Sequence, residues 1–267
     1  MHNFQKIGYA NLMMENFDLK KDFEKALREH EFKVFLQPKF DGQTETLVGA
    51  EALVRRIIGP KILSPDSFIP LYEKEGLITR LDLYLLEEVC KNLQKWKYNG
   101  FSIPISVNES AKHLSNEYHG QELLQLLNKY GIEPSSIELE VTESAVIENI
   151  EIAQKAHKRM HELGFITAMD DFGVGYSSFS MLKSIPIDVL KIDKSFLDGL
   201  LEHRRFQIIL ESIVDMAHKL RMTTVMEGVE SRQELEYLKE IGIDVFQGYY
   251  FSKPIPIEEF ERRYLYI

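Results

Sequence analysis

The chain has 267 residues, of which 42 are acidic and 32 basic, so its formal net charge at pH 7 is −10. This balance argues against a general nucleic-acid binder, because such proteins need a basic surface to displace counterions from phosphates. The length suits one large α/β domain, since an eight-stranded α/β barrel typically takes about 250 residues. We therefore expect no DNA or RNA partner.

The single cysteine, Cys90, excludes an internal disulfide and fits a reducing cytosol. No stretch approaches the roughly 20 uninterrupted apolar residues of a membrane span, and the N-terminus lacks the layout of a signal peptide. We expect a cytoplasmic chain without membrane contact, with a linker or tail at residues 1–18 and one domain at residues 19–267. Met1 could be an initiator or an added start, so an upstream regulatory domain stays open.

The first hundred residues predict a helix, two strands and two helices, in that order, at residues 19–30, 32–40, 47–55, 65–75 and 81–98. The first strand alternates apolar and polar side chains, whereas the longer helix repeats apolar side chains every three or four residues. Only a short polar turn with Gly42 separates the two strands, which leaves no room for a crossover helix. Strands joined this closely run antiparallel.

Strand and helix then alternate to the end of the chain. Strands are predicted at residues 103–107, 137–142, 165–169, 189–192, 223–226 and 245–250. A helix follows each strand, at residues 120–130, 148–163, 178–183, 204–220, 232–241 and 257–264. Eight strands in this order predict an α/β fold, a modified TIM-like (β/α)8 barrel with the first strand antiparallel to the rest. An open doubly wound sheet is the alternative.

Six of the predicted strands carry or end on a carboxylate, an amide or a lysine. These residues are Glu51, Asn108, Glu140, Asp170 with Asp171, Lys191 and Glu227. The carboxyl ends of parallel strands meet on one face, so we expect these side chains to lie together. Oxygen ligands without cysteine or histidine favour Mg²⁺ or Mn²⁺ over zinc. Any one of them alone could be a surface carboxylate, but an unpaired charge inside an apolar strand is costly.

This set predicts metal-assisted chemistry on a phosphate ester. Two divalent ions about 3.5–4 Å apart could share Asp170, with Asp171 on the second ion, and clamp a phosphodiester beside an activated water. Lys191 could orient or deprotonate that water, or offset charge on the phosphoryl oxygens. A buried ion pair is the alternative role for Lys191.

Seven short motifs follow one another along the chain. They are Glu51-Ala52-Leu53-Val54-Arg55, Val107-Asn108, Glu140-Val141-Thr142-Glu143-Ser144, Asp170-Asp171-Phe172-Gly173-Val174-Gly175-Tyr176-Ser177-Ser178, Leu190-Lys191-Ile192-Asp193, Glu227-Gly228-Val229-Glu230 and Gln247-Gly248-Tyr249-Tyr250-Phe251-Ser252-Lys253-Pro254. In this order they resemble the EAL family of cyclic di-GMP phosphodiesterases, over roughly residues 19–264. One motif alone would be weak evidence, whereas the ordered set is specific.

The resemblance implies hydrolysis of cyclic di-GMP to linear pGpG with two Mg²⁺ or Mn²⁺ ions, in bacterial second-messenger signalling. It matches the metal-ligand positions to Glu51, Asn108, Glu140, Asp170, Asp171 and Glu227. It also implies that Lys191 engages the water and that Gln247 supports the site. Gln37, Arg55 and Gln247 match substrate positions, and an arginine suits bidentate phosphate contact. Glu143 matches a glutamate that braces the loop after Asp171 and couples the site to a homodimer interface.

Members of this family that have lost metal ligands act as receptors or protein-interaction platforms. Here every matched ligand is present, which favours the enzyme over a receptor. A hydrolase that acts on another phosphodiester is a third hypothesis.

Three residues depart from the family pattern and bear on substrate affinity. Arg56, Met226 and Glu109 stand where an aromatic, a small and an apolar residue are usual.

Two further features have competing interpretations. His157 and His161 lie four residues apart on a predicted helix, a spacing that can bind zinc. A solvated helix face outside the barrel is favoured, because no glutamate accompanies them in the metalloprotease pattern. The segment Gly173-Val174-Gly175 predicts a mobile active-site loop, since it lacks the third glycine and the lysine of a phosphate-binding loop.

Overall fold

A computed structural model describes residues 18–174 and 179–266 of the chain. The linker or tail predicted at residues 1–18 lies outside the described residues except for Asp18, and so do the motif residues 175–178. Within the described ranges, no helix combines the length and the apolar character that a membrane span requires.

Eight strands of the described chain close into a barrel. They are β1 (Phe32–Asp41), β2 (Leu47–Ile58), β4 (Ile105–Asn108), β5 (Ile137–Thr142), β6 (Ile166–Phe172), β7 (Val189–Ile192), β8 (Thr223–Met226) and β9 (Val245–Phe246). Two short strands extend it, since β3 (Lys61–Leu63) pairs with β2 and β10 (Ile255–Pro256) with β1. Strand β1 runs antiparallel to its barrel neighbours β2 and β9, and the other barrel pairs are parallel. The predicted barrel with a reversed first strand is confirmed, and the open sheet is wrong.

The helices follow the predicted order with shifted ends. They are α1 (Leu19–Arg28), α2 (Ile69–Glu75), α3 (Ile78–Tyr98), α4 (His119–Tyr130), α5 (Glu143–Glu148), α6 (Ile150–Glu162), α7 (Phe179–Ser184), α8 (Arg204–Lys219), α9 (Arg232–Glu240) and α10 (Ile257–Phe260). The helix predicted at 148–163 is preceded by α5, which the sequence interpretation missed. Asn149 separates the two, because its side chain accepts a hydrogen bond from Ile152 N and caps α6.

Alternation along the strands decides what lies inside the barrel. In β7, Leu190 and Ile192 belong to a large apolar core that also includes residues of the surrounding helices. Val189 instead joins a small apolar layer with Ala168 and Val225. Lys191 shares the inward side of β7 with Val189 and lies closer to the carboxyl end of the strand. Polar side chains therefore occupy the barrel interior at that end.

A separate apolar cluster joins α1 and α2 to the start of the barrel, and it includes Phe32 and Tyr72. Arg56 of β2 is buried against this cluster and pairs with Asp22 at 2.6 Å and with Glu31 at 2.8 Å. It also donates a hydrogen bond to the Tyr72 hydroxyl at 3.0 Å. The departure from the family pattern at Arg56 thus has a structural reason, because its ion pairs with Asp22 and Glu31 hold α1 against the barrel.

Candidate metal and phosphodiester site

The strand registers bring the predicted site residues to one end of the barrel. Gln37 of β1 pairs directly with Glu51 of β2, and Asn108 of β4 pairs directly with Glu140 of β5. Asp170 of β6 lies in register with the last residue of β5. We use the name barrel site for the set gathered here: Glu51, Asn108, Glu140, Asp170, Asp171, Lys191 and Glu227.

Four carboxylates converge on one buried amine. The Nζ atom of Lys191 lies 2.6 Å from Glu140 Oε2, 2.8 Å from Asp170 Oδ1, 2.8 Å from Glu227 Oε1 and 3.6 Å from Glu51 Oε2. Lys191 is only 1% exposed, so water can offset little of the charge gathered around it. The ion-pair role considered for Lys191 is therefore present in this structure.

An amide network fixes Glu51. Its Oε1 atom accepts a hydrogen bond from Asn108 Nδ2 at 3.1 Å, and its Oε2 atom accepts one from Gln247 Nε2 at 2.6 Å. Gln247 Nε2 also donates to Gln37 Oε1 at 3.1 Å, and Gln37 Nε2 donates to the Ser252 carbonyl at 3.2 Å. The structure thus joins Gln247 and Gln37 to the barrel site through Glu51.

Lys39 belongs to this site and was missed by the sequence interpretation. Its Nζ atom lies 2.9 Å from Glu138 Oε1 and 3.0 Å from Glu140 Oε1. Glu140 therefore contacts Lys39 through one oxygen and Lys191 through the other. The available signal was position, because Lys39 follows Gln37 by two residues and so faces the same side of β1.

Asp171 has an unusual backbone at the end of β6. Its φ angle is +55°, a left-handed conformation that is uncommon outside glycine. Its amide donates a hydrogen bond to Asp170 Oδ1 at 3.0 Å. One carboxylate oxygen from each of Asp170, Asp171 and Glu227 lies within 4.8 Å of the others, a spacing that could hold a metal ion.

Burial and the neighbouring lysines shift the pKa values of these carboxyls in opposite directions. Loss of solvent raises the pKa of Glu51 and of Asp170 above the usual range. Burial also raises the pKa of Glu227 to about 8. It opposes the charge of Glu140 as well, but attraction to the two buried lysines outweighs it and lowers the pKa of that carboxyl to about 2.

The barrel site carries more negative charge than its lysines balance. Burial disfavours the Lys191 ammonium, but the surrounding carboxylates outweigh burial and raise its pKa well above the usual range. Lys191 is thus a cation here, and several neighbouring carboxyls retain protons more strongly than usual. An oxygen donor set with surplus negative charge fits a hard divalent cation, which would take the place of those protons.

Glu143 touches the loop that follows Asp171. It is buried at the start of α5, and its Oε2 atom accepts a hydrogen bond from Gly173 N at 2.9 Å. Gly173 has a φ of +97°, and a Cβ atom there would lie 2.1 Å from the Phe196 ring. Only glycine fits this position, so the contact from Glu143 fixes a closely packed backbone.

Arg55 lies apart from these contacts. Its guanidinium is 5.8 Å from the centre of the Phe35 ring and donates a hydrogen bond to its neighbour's carbonyl, Val54 O, at 2.8 Å. No hydrogen bond or ion pair joins it to the carboxylates in the part of the chain that the structure describes.

A cleft of about 600 Å³ adjoins the site, and its lining includes Glu51, Asn108 and Thr142. Clefts of this size accommodate small-molecule ligands.

The structure shows the surroundings of two histidines and one cysteine singled out in the sequence. His157 is buried, so the solvated helix face predicted for it is wrong; it shares the buried face of α6 with Ala153, Ala156 and Met160. His161, on the same helix, is exposed as expected.

Cys90 is buried in an apolar core, and burial raises the pKa of its thiol to about 12. A thiol with so high a pKa is a packing residue and not a nucleophile.

Comparison with known proteins adds independent information. The family described as the EAL domain matches residues 20–254 of the chain. The signaling protein YkoW of Bacillus subtilis (strain 168) is 36% identical over 270 residues, covering 97% of this chain and 33% of that protein. The cyclic di-GMP phosphodiesterase NbdA of Pseudomonas aeruginosa is 36% identical over 258 residues, covering 94% of this chain and 33% of that protein.

The chain therefore spans about a third of the length of these curated relatives. Among solved structures, the PaMucR phosphodiesterase in complex with c-di-GMP superposes with a TM-score of 0.85 at 31% identity. That match covers 91% of this chain and 100% of the other. The likeness thus extends over nearly the whole barrel.

Proposed function

Because the chain belongs to the EAL domain family, we propose that it hydrolyses cyclic di-GMP to linear pGpG with two Mg²⁺ or Mn²⁺ ions. The observation that carries this proposal is the convergence of Glu140, Asp170 and Glu227 on Lys191 at one end of the barrel. The similarity to NbdA, whose name specifies a cyclic di-GMP phosphodiesterase, supports the choice of substrate.

The ligands of the two ions would come from five strands. We assign Glu51, Asn108, Glu140, Asp170 and Glu227 to hold the first ion, and Asp171 to hold the second while Asp170 is shared. When bound, the ions supply Lewis-acid stabilisation of the phosphoryl oxygens and lower the pKa of a bound water. The amides of Asn108 and Gln247 keep the Glu51 carboxylate in one orientation through their hydrogen bonds.

The lysines and Glu143 act through position and charge. Lys191 would face the attacking water, and its high pKa in this structure favours orienting the water or offsetting charge over taking a proton. Lys39 keeps Glu140 ionised from the other side. Glu143 holds Gly173 N, which fixes the backbone two residues after Asp171.

The substrate contacts rest on residues around the cleft. Gln37 would reach the substrate from β1, beside Gln247, to which it is hydrogen-bonded. Arg55 is half-buried, and its planar guanidinium could form two parallel hydrogen bonds to a phosphate. The resemblance also predicts a homodimer, and the cysteine content and sequence pattern predict a cytoplasmic location; both stay predictions.

The test is incubation of the purified chain with cyclic di-GMP, with and without Mg²⁺ or Mn²⁺, followed by chromatographic separation of the products. We expect pGpG to appear only with metal. Tight binding of cyclic di-GMP without any product would contradict the enzyme and indicate a receptor. A panel of other cyclic and linear phosphodiesters checks substrate identity, because faster cleavage of another ester would contradict the assignment.

A further inference from the structure

A second group of ionisable side chains lies next to the barrel site but belongs to other elements. Glu109 follows the last residue of β4, His113 ends the short turn Ala111–His113, and His119 begins α4. His119 Nε2 lies 2.6 Å from Glu109 Oε2, and the His113 and His119 rings stack with centroids 3.9 Å apart. Both histidines are buried.

The spacing of these side chains could hold a metal ion. Glu109, His113 and His119 each offer one ligand atom, and the three atoms lie within 4.8 Å of one another. Two imidazoles with one carboxylate form a common ligand set of zinc and related transition metals. Such a set differs in kind from the oxygen ligands of the barrel site.

Further carboxylates stand behind the two imidazoles. Asp82 Oδ2 lies 3.0 Å from His113 Nε2, and Glu122 Oε2 lies 3.8 Å from His119 Nδ1. Metal-binding histidines usually direct their second ring nitrogen to a carboxylate, which fixes the tautomer and orients the ring. Asp82 meets this requirement for His113, because it leaves the other nitrogen of that ring for an ion.

An independent observation comes from another histidine that lines the same cavity. His157 of α6 lines this cavity together with Glu109, His113 and His119. It is 3% exposed, and neither of its ring nitrogens has a hydrogen-bond partner among the described residues. A buried polar group without a hydrogen-bond partner is destabilising, so an imidazole in this position requires an explanation.

We propose that Glu109, His113 and His119 bind one transition-metal ion, with Zn²⁺ as the representative, in the cavity that His157 also lines. Hydrogen bonding between the histidines and carboxylates accounts for Asp82 and Glu109 without an ion. It leaves His157 unexplained, and it leaves the buried His119 Nδ1 atom without a hydrogen bond in the described part of the chain. An ion explains why four such side chains share one cavity.

The proposed zinc site takes no part in the proposed hydrolysis, and it lies next to the barrel site. Glu109 follows Asn108 directly, so an ion bound here would tie the residue after β4 to the start of α4. The histidine cluster, as we call Glu109, His113, His119 and His157, would thereby fix the chain that leaves the barrel site at Asn108.

The test uses the full chain, stripped with a chelator, reloaded with Zn²⁺ in excess Mg²⁺ and dialysed against Mg²⁺ buffer. Elemental analysis should give one zinc per chain, and X-ray absorption at the zinc edge should show at least two imidazole ligands. Loss of all zinc, or zinc with oxygen ligands alone, would overturn the proposal. This measurement needs no variant, so it does not depend on the folding of a mutant.

Variants then locate the ion. The double substitution His113→Gln with His119→Gln should weaken zinc binding at least about tenfold, since it removes two ligands. His161→Gln is the matched control, because it changes an exposed histidine on α6 and should leave the zinc affinity unchanged. Asp170→Asn, which alters the barrel site, should also retain the zinc. Zinc that is lost in Asp170→Asn and kept in the double variant would place the ion in the barrel site and contradict the proposal.

Discussion

Asn108 and Glu109 are neighbours in the chain, yet they belong to two different sites. Asn108 turns into the barrel and contacts Glu51, whereas Glu109 turns to the outside and contacts His119. Successive side chains at the end of a strand point to opposite faces, so one step along the chain exchanges one set of neighbours for the other. Two sites of different chemistry can therefore share one strand end.

The two sites also differ in how their charge is balanced. The barrel site places carboxylates around buried lysines and remains too negative, which suits hard divalent ions. The histidine cluster pairs imidazoles with carboxylates and holds less charge, which suits a softer ion. The comparison predicts that each site can be altered without changing the metal of the other.

The largest effect is expected from Glu51→Ala. This substitution removes a carboxylate that we assign to the first ion, so turnover of cyclic di-GMP should be abolished, with a loss beyond about 100-fold. Product formation measures the loss, and zinc bound by the histidine cluster should be unchanged. Glu29→Ala, which removes an exposed carboxylate just after the end of α1, is the control. Substantial residual turnover would refute the assignment of Glu51.

Lys39→Met tests the charge balance of the barrel site without changing a proposed ligand. It leaves Glu138 and Glu140 without their shared cation, and breaking a buried ion pair from one side costs about 3 kcal/mol or more. Chemical denaturation should show this loss in the free energy of unfolding. Adding Glu138→Gln to the variant should recover part of it. A stability equal to that of the wild type would mean that Lys39 contributes little to the site.

Glu143→Ala should separate catalysis from folding. It removes the acceptor for Gly173 N and frees the backbone after Asp171, so kcat should fall at least about tenfold and the metal requirement should rise. Circular dichroism should report an unchanged fold. Glu143→Gln retains an acceptor oxygen and should restore part of the rate. Kinetics like those of the wild type in the alanine variant would contradict the bracing role.

The smallest effect concerns pH. Burial raises the folded-state pKa of Glu227 to about 8 from an ordinary value of 4.5, so its contribution to stability is complete below about pH 4.5 and is lost as pH rises through 8. The Tm of the metal-free protein should therefore fall between about pH 5 and 8. Mg²⁺ should suppress the fall by stabilising the ionised carboxylate, and Glu227→Gln should flatten it. A Tm that rises with pH in the presence of a chelator would contradict the raised pKa of Glu227.

Sequence patterns predicted the barrel because its signals are local. The short turn at Gly42 leaves only an antiparallel pair, and alternation of strand and helix defines the remaining strands. Glu51 and Asp170 were recognised because a carboxylate interrupts an apolar run. These signals need no knowledge of which elements meet in space.

Residues whose role depends on long-range packing could not be predicted in this way. Lys39 shares a face of β1 with Gln37, but a lysine at such a position usually faces water, and only closure of the barrel encloses it. His157 was misplaced because one polar residue does not reveal which face of α6 is buried. His113 and His119 join Glu109 only through the path of the chain between β4 and α4, which no short spacing encodes.

The ion pairs of Arg56 have a mechanical consequence. Arg56 lies five residues beyond Glu51 on β2, and it is bonded to Asp22 within α1 and to Glu31 just after that helix. A displacement of α1 relative to the barrel must therefore either break these buried pairs or pull on the strand that carries Glu51. A movement of α1 would therefore be transmitted to Glu51 through the Arg56 ion pairs and strand β2.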